Sequence, residues 1–348
     1  MATKDINVGV IGASGYTGSD LIRMLSGHPK INLKYVSANN HAGQRIGDIY
    51  PYLNGKVDLF LEKWEDINWS AVDVIFSCLP HGIFHEILPK LPAEKIIIDL
   101  SADFRLSSAK DYVQWYNFEH KSAETINHFV YGLTELNRSN IRKSVKVACP
   151  GCYPTATLLA LYPLIADDLI DINHITIDAK SGISGAGRSP KRDLLFSEIS
   201  ESFRPYSVTG HRHIIEIEQQ LMIHSKNDIK INFIPHLVPM NRGELVTAHV
   251  RLNQDIKLNE IIEIYHSKYR NDNFINIMNN GNVPNTINVR GTNNCDIAVI
   301  PGRVDKTLII ISAIDNLVKG SSGQAIQNMN LIQGWPEELG LHQISIFP

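Results

Sequence analysis

The chain has 348 residues, of which 43% are hydrophobic and 20% charged, the profile of a globular protein with enough length for two domains. Its 33 basic and 36 acidic residues give a net charge of −3, which argues against nucleic acid or an anionic membrane as partner. Four cysteines (Cys78, Cys149, Cys152, Cys295) are too few for a disulfide framework, so reduced thiols in a cytoplasmic compartment are expected. Met1–Asp5 has no signal-peptide pattern, and no apolar run approaches the roughly 20 residues that span a bilayer.

In chain order, Ile6 to Ile11 reads as a buried strand, followed by a glycine-rich turn and a helix over Ser19 to Leu25, where Leu21, Ile22 and Leu25 share a face. Strands at Leu33–Val36, Val72–Cys78 and Lys95–Leu100, with a helix over Phe84–Leu91, continue the alternation to about Val147. That rhythm predicts a parallel α/β sheet. An apolar helix over Thr155–Ile165 then opens a different pattern. Strand-like runs at His174–Ala179, Ile229–Ile234, Leu245–Leu252 and Leu308–Ala313 alternate less with helices and predict a mixed or antiparallel sheet. The chain turns helical again from Asn316, through Gly323–Leu331. A nucleotide domain and an α+β catalytic domain are expected.

The turn Gly12-Ala-Ser14-Gly15-Tyr16-Thr17-Gly18 lies between the first strand and the first helix. Glycines there let the backbone approach a pyrophosphate, and the helix N-terminus supplies amide donors. The alternative reading is a glycine-rich turn without a ligand. The end of the second strand, Val36-Ser37-Ala-Asn39-Asn40, carries no carboxylate to grip a ribose 2′-hydroxyl, which favours NADP over NAD. Ser37 and Arg45 are candidates for the 2′-phosphate.

Cys149-Pro-Gly-Cys152-Tyr-Pro154-Thr holds a cysteine between a flexible glycine and a proline suited to a helix start. A helix N-terminus favours thiolate over thiol, so Cys152 is a candidate nucleophile. The same CxxC could be a redox pair, with a reversible Cys149–Cys152 disulfide, or plain buried cysteines; zinc would need two more ligands, and Cys78 and Cys295 form no second CxxC. Gly210-His211-Arg212-His213-Ile-Ile-Glu216 offers an acid/base, its two histidines pointing the same way if the chain is extended; the competing reading is a solvated polar turn. Two loops after strands, Ser181-Gly-Ile-Ser184-Gly185-Ala-Gly-Arg188 and Asp99-Leu-Ser-Ala-Asp-Phe-Arg105, offer an anion site, or are surface turns.

Taken in order along nearly the whole chain, these segments, with Leu79-Pro80-His81-Gly82, Val130-Tyr-Gly-Leu-Thr-Glu135, Pro235-His-Leu-Val-Pro-Met240 and Asp315-Asn-Leu-Val-Lys-Gly320, resemble the N-acetyl-γ-glutamyl-phosphate reductase family. The resemblance implies a Rossmann-type NADP(H)-binding domain of residues 1–151 and 317–348. It implies a catalytic and oligomerisation domain of residues 152–316, like that of aspartate-semialdehyde dehydrogenase. It implies a small acyl-phosphate substrate and a homodimer or homotetramer. Carried over residue by residue, Cys152 is the nucleophile and His211 the acid/base, with His213 second. Gly12, Ser14, Gly15, Tyr16, Thr17, Gly18, Ser37, Pro80, His81, Gly82 and Gly323 line the cofactor. Arg105, Ser184, Gly185 and Arg188 meet substrate or phosphate. The chain departs from the family at Cys149, where Asn is common, and at Asn39-Asn40, where Arg is common. A related reductase of lysine biosynthesis, aspartate-semialdehyde dehydrogenase and a non-catalytic NADP-binding sensor are the alternatives.

Overall fold

A computed structural model describes residues 6–225, 227–279 and 281–347. Met1–Asp5, on which the reading of the N-terminus rested, lie outside the described residues. The chain divides into two compact units, one of Met1–Pro150 with Ser321–His342, the other of Gly151–Gly320 with Gln343–Pro348. The tail expected in the first domain is therefore split. Its last residues join the second unit, where Ser345 Oγ donates to the Ile287 carbonyl and Arg290 Nη2 to the Ile346 carbonyl.

The first unit is built on a seven-stranded parallel sheet of β1 (Ile6–Ile11), β2 (Ile31–Ser37), β3 (Leu61–Glu62), β4 (Val74–Ser77), β5 (Ile96–Asp99), β6 (Val130–Tyr131) and β7 (Lys146–Ala148). Their order is β3-β2-β1-β4-β5-β7-β6, so the chain reverses direction across the sheet between β1 and β4. In such sheets ligands bind beyond the strand C-termini at that switch point, which is where the glycine turn lies. Central strands such as Val74-Ile75-Phe76-Ser77 are buried throughout, as a sheet covered on both faces requires. The helix Gly323–Ile332 returns to this unit, and Ser322 Oγ at its start donates to Asp20 Oδ2 of the first helix (2.9 Å).

The second unit holds a mixed sheet of β8 (Thr176–Gly182), β9 (Arg204–Pro205), β10 (Asn232–Val238), β11 (Glu244–Arg251), β12 (Ile275–Ile277), β13 (Cys295–Pro301) and β14 (Thr307–Ile314), ordered β12-β13-β14-β11-β8-β10-β9. The long strands alternate buried and less buried residues, so one face is core. That face receives the helix Cys152–Ala166, which is apolar nearly all round. The helix begins at Cys152, not at the predicted Thr155, so Pro154 sits in its third position, where no intrahelical N–H is needed. Pro163 inside it removes the bond to the Leu159 carbonyl, and the Tyr269 hydroxyl donates to that carbonyl instead (2.6 Å).

Candidate active site

In the first unit the glycine turn folds as a close-approach loop. Gly12 has φ +84°, and a Cβ there would lie 2.6 Å from the Cys78 carbonyl oxygen; one on Gly18 would lie 2.3 Å from the Gly12 oxygen. Gly12 and Gly18 are thus dictated by packing. A Cβ on Gly15 would meet nothing nearer than 3.7 Å, and Gly15 caps the helix Tyr16–Leu25 with no side-chain hydrogen bond to its first amides. Those features fit a dinucleotide pyrophosphate. Tyr50 braces the loop through its hydroxyl, which donates to the Ser14 carbonyl (2.7 Å); Tyr16 is exposed and Thr17 half-buried.

Ser37 is 1% exposed, and its carbonyl accepts the amides of Gly12 and Ala13 (2.9 and 2.8 Å). Its contribution is the main chain that closes the loop. Arg45 is exposed, paired with Asp58 and stacked over Phe60.

At the end of β4, Gly82 (φ +80°) and His85 donate their amides to the two carboxylate oxygens of Asp103 (2.6 and 3.1 Å), and Pro80 is exposed. His81 Nδ1 accepts the Ala102 amide (2.9 Å). Sequence reasoning missed Asp103, although a buried carboxylate near two strand ends is a recurrent way to fix such turns. Arg105, expected at the substrate, is buried, with Nε donating to the Cys149 carbonyl (2.7 Å) and Nη2 to the Leu100 carbonyl (2.9 Å). These bonds make it a brace between the ends of β5 and β7. Cys149 is 1% exposed, with its thiol against Asn328 Nδ2, and burial pushes that thiol up to about 12. It is a small buried residue whose thiolate form burial disfavours.

In the second unit Cys152 is the first residue of its helix and Gly151 the cap. The Gly151 amide donates to Glu216 Oε1 (2.8 Å), and the Gly151 carbonyl accepts both the amide and the hydroxyl of Thr155 (2.9 Å each). The amides of Cys152 and Tyr153 therefore emerge from a fixed first turn. Glu216 belongs to the helix His213–His224, so the histidine segment is tied to the turn before Cys152. The two histidines are not in extended chain as expected. His213 opens the helix, and His211 Nδ1 accepts the His213 amide (3.1 Å). Their rings meet edge-on at 4.8 Å, and Tyr153 stands edge-on to both. Burial, helped by Arg212, pushes His211 down to about 3. With Nδ1 accepting, the neutral ring carries its proton on Nε2.

Behind Cys152, a Cβ on Gly320 would lie 2.7 Å from Cys152 Cβ, so only glycine lets the chain pass there. The loop after β8 folds as a turn over Ile183–Ala186, with the Ile183 and Ser184 amides donating to the Met240 and Asn241 carbonyls. The Asn316 side chain joins two loops, donating to Ser184 Oγ and accepting the Gly243 amide (2.9 Å each). Gly185 and Arg188 are exposed on this loop. Glu244, the next residue after Gly243, is fully buried with its carboxyl beside the Cys152 thiol, and sequence reasoning did not find it. The only signal was a charged residue at an inward position of a strand.

Among the described residues no group of three His, Cys, Asp or Glu side chains could hold a metal, and no helix is long and apolar enough to cross a membrane.

Residues 7–144 match the family description "Semialdehyde dehydrogenase, NAD binding domain", and residues 152–316 match "Semialdehyde dehydrogenase, dimerisation domain". Over 99% of this chain, a probable chloroplastic N-acetyl-γ-glutamyl-phosphate reductase of Arabidopsis thaliana is 44% identical, with 86% of its own length covered. The N-acetyl-γ-glutamyl-phosphate reductase of Halothermothrix orenii is 45% identical, covering 99% of this chain and all of that one. Among solved structures, aspartate semialdehyde dehydrogenase II of Vibrio cholerae, complexed with ASA, superposes with a TM-score of 0.74 at 16% identity, covering 95% of this chain and 99% of that one. Aspartate semialdehyde dehydrogenase of Candida albicans, with NADP, gives 0.69 at 15% identity, covering 95% and 99%. These two likenesses establish a shared fold.

Proposed function

The chain belongs to the N-acetyl-γ-glutamyl-phosphate reductase family, and from that premise we propose that it reduces N-acetyl-γ-glutamyl phosphate to N-acetylglutamate 5-semialdehyde through a thioester on Cys152. The observation that carries the site assignment is the fixed turn at Gly151, which presents Cys152 at the start of a buried helix and ties it through Glu216 to the histidine segment.

The Cys152 sulfur attacks the acyl carbon, its developing negative charge favoured by the helix N-terminus. The oxyanion that forms is met by main-chain amides of the first turn and by His211, whose neutral ring offers an Nε2–H. The acyl–oxygen bond breaks and its electron pair leaves with phosphate. When bound, the nicotinamide nucleotide supplies the hydride that the thioester accepts. The oxyanion of the resulting thiohemiacetal re-forms the carbonyl as the C–S bond breaks, releasing the aldehyde and leaving the bond's electron pair on the Cys152 sulfur. His213 stands beside His211 as the second member of the element. Ser184, Gly185 and Arg188 receive the substrate's anionic groups, the exposed Arg188 supplying charge; Arg105 holds the turn at Cys149.

NADP(H) is the assigned cofactor, bound by Gly12, Ser14, Gly15, Tyr16, Thr17 and Gly18 with Pro80, His81, Gly82 and Gly323. The absence of a carboxylate after β2 supports it over NAD. A homo-oligomer is supported by the outer face of the second sheet, where Ile234, Leu245, Ile309 and Ile311 stay partly exposed in the region matching the dimerisation domain.

Cys152→Ser should abolish turnover and leave NADPH affinity unchanged, as read by steady-state assay and nucleotide fluorescence titration. Near-normal activity in that variant would sink the assignment.

A further inference from the structure

Glu244 is a buried acid that core packing does not explain. It opens β11, whose other inward residues are Val246, Ala248 and Val250. An aliphatic side chain would fill the position without loss, whereas a carboxylate without partners is costly there. Its strand neighbours, Ser181 on β8 and Ile314 on β14, bring no charge. Neither carboxyl oxygen reaches a hydrogen-bond partner of good geometry, and both are sealed from solvent. The polar group next to them is the Cys152 thiol.

The other titratable groups facing this carboxyl are Tyr153, on the Cys152 helix, and Tyr206, after β9. Burial drives both phenols upward, so they stay protonated. Arg242, two residues upstream, is directed to Asp315 (3.5 Å). Burial also pushes Glu244 up to about 8, into the range where a thiol of ordinary value near 8.5 competes for the same proton.

We propose that Glu244 is the proton partner of Cys152: its carboxylate takes the thiol proton as Sγ attacks the acyl carbon, keeps it through the thioester stage, and returns it to Sγ when the C–S bond breaks. The inference rests on Cys152 being the nucleophile. His211 is poorly suited to this step, because its Nδ1 already accepts an amide and its Nε2 carries a proton. The shuttle is neutral over a turnover. One proton moves from sulfur to oxygen and back, while the proton consumed by the reduction enters with the departing phosphate. Holding the carboxyl as an uncharged acid during acylation also keeps a second anion away from the acyl phosphate.

The test follows iodoacetamide labelling of Cys152, read by peptide mass spectrometry on the full-length protein from about pH 6 to pH 10, in the unsubstituted enzyme and in Glu244→Gln and Glu244→Asp. A shared proton gives a two-step rise in labelling, because the ionised carboxylate holds back the second deprotonation. Glu244→Gln should show one step and a turnover reduced on the order of 100-fold, and Glu244→Asp should recover part of both. Coincident profiles for the unsubstituted enzyme and Glu244→Gln would overturn the proposal. Should Glu244→Gln not fold, difference infrared spectroscopy of the unsubstituted enzyme decides: alkylating Cys152 must change the carbonyl band of a buried carboxylic acid, and an unchanged band rejects the pairing. If Cys152→Ser keeps its activity, the nucleophile assignment fails and the proposed shuttle with it. If Cys152→Ser is inactive while the labelling profiles coincide, only the role of Glu244 fails.

Discussion

The Gly151 amide and Glu216 Oε1, 65 residues apart in the chain, are joined by a hydrogen bond of 2.8 Å. The residue before Cys152, the proposed nucleophile, is thereby fixed from the helix that carries the histidines. Its bond to Gly151 makes Glu216 a positioning residue for Cys152.

Glu216→Ala leaves that buried amide without its acceptor, a loss of about 1–3 kcal/mol. It also loosens the turn, for which a loss of roughly 100-fold in kcat/KM is expected. Glu216→Gln keeps an oxygen in place and should retain most of the stability and much of the rate. Equal damage in both variants, by thermal unfolding and initial rates, would show that the charge matters more than the acceptor.

His211 is pushed down to about 3 in the folded protein against an ordinary 6.5, so the unfolded chain takes up a proton that the folded one refuses. The stability of the neutral ring is fully present above 6.5 and is lost as pH falls toward 3. Between those values the melting temperature of the unsubstituted protein should fall more steeply than that of His211→Asn. In turnover, His211→Asn should cost more than His213→Asn, and the reverse order in a steady-state assay would exchange their roles.

Gly12 and Gly15 separate folding from cofactor binding. Gly12→Ala must place a Cβ against the Cys78 carbonyl at a positive φ, and should lower the melting temperature. Gly15→Ala meets no protein atom nearer than 3.7 Å. It should cost the helix cap about 1 kcal/mol or less, yet weaken NADPH roughly tenfold in a titration, because the added methyl group lies in the approach to the helix amides.

Tyr269→Phe withdraws the hydroxyl that satisfies the Leu159 carbonyl opposite Pro163. A buried carbonyl then has no replacement donor, and denaturant unfolding should register a loss of about 1–3 kcal/mol. Restoring the intrahelical bond with Pro163→Ala in the same chain should recover most of it.

The alternation of short apolar strands with helices up to Val147 sufficed to predict the parallel sheet, because strands buried on both faces leave continuous hydrophobic runs. The glycine turn was equally legible, since packing between the ends of β1 and β4 tolerates nothing larger at Gly12. Cys152 stood out from its immediate neighbours, Gly151 and Pro154, which set the local turn. Those features depend on a few adjacent residues, and a sequence displays adjacency. The distant residues that adjoin Cys152 or its turn do not lie beside it in the chain: Glu216 comes from another helix, Gly320 from the end of the unit and Glu244 from an inward position of β11. Only the folded sheet and helices decide which distant side chains become neighbours. Burial, more than residue type, separates the Cys149 thiol, pushed up to about 12, from the half-buried Cys152 beside Glu244.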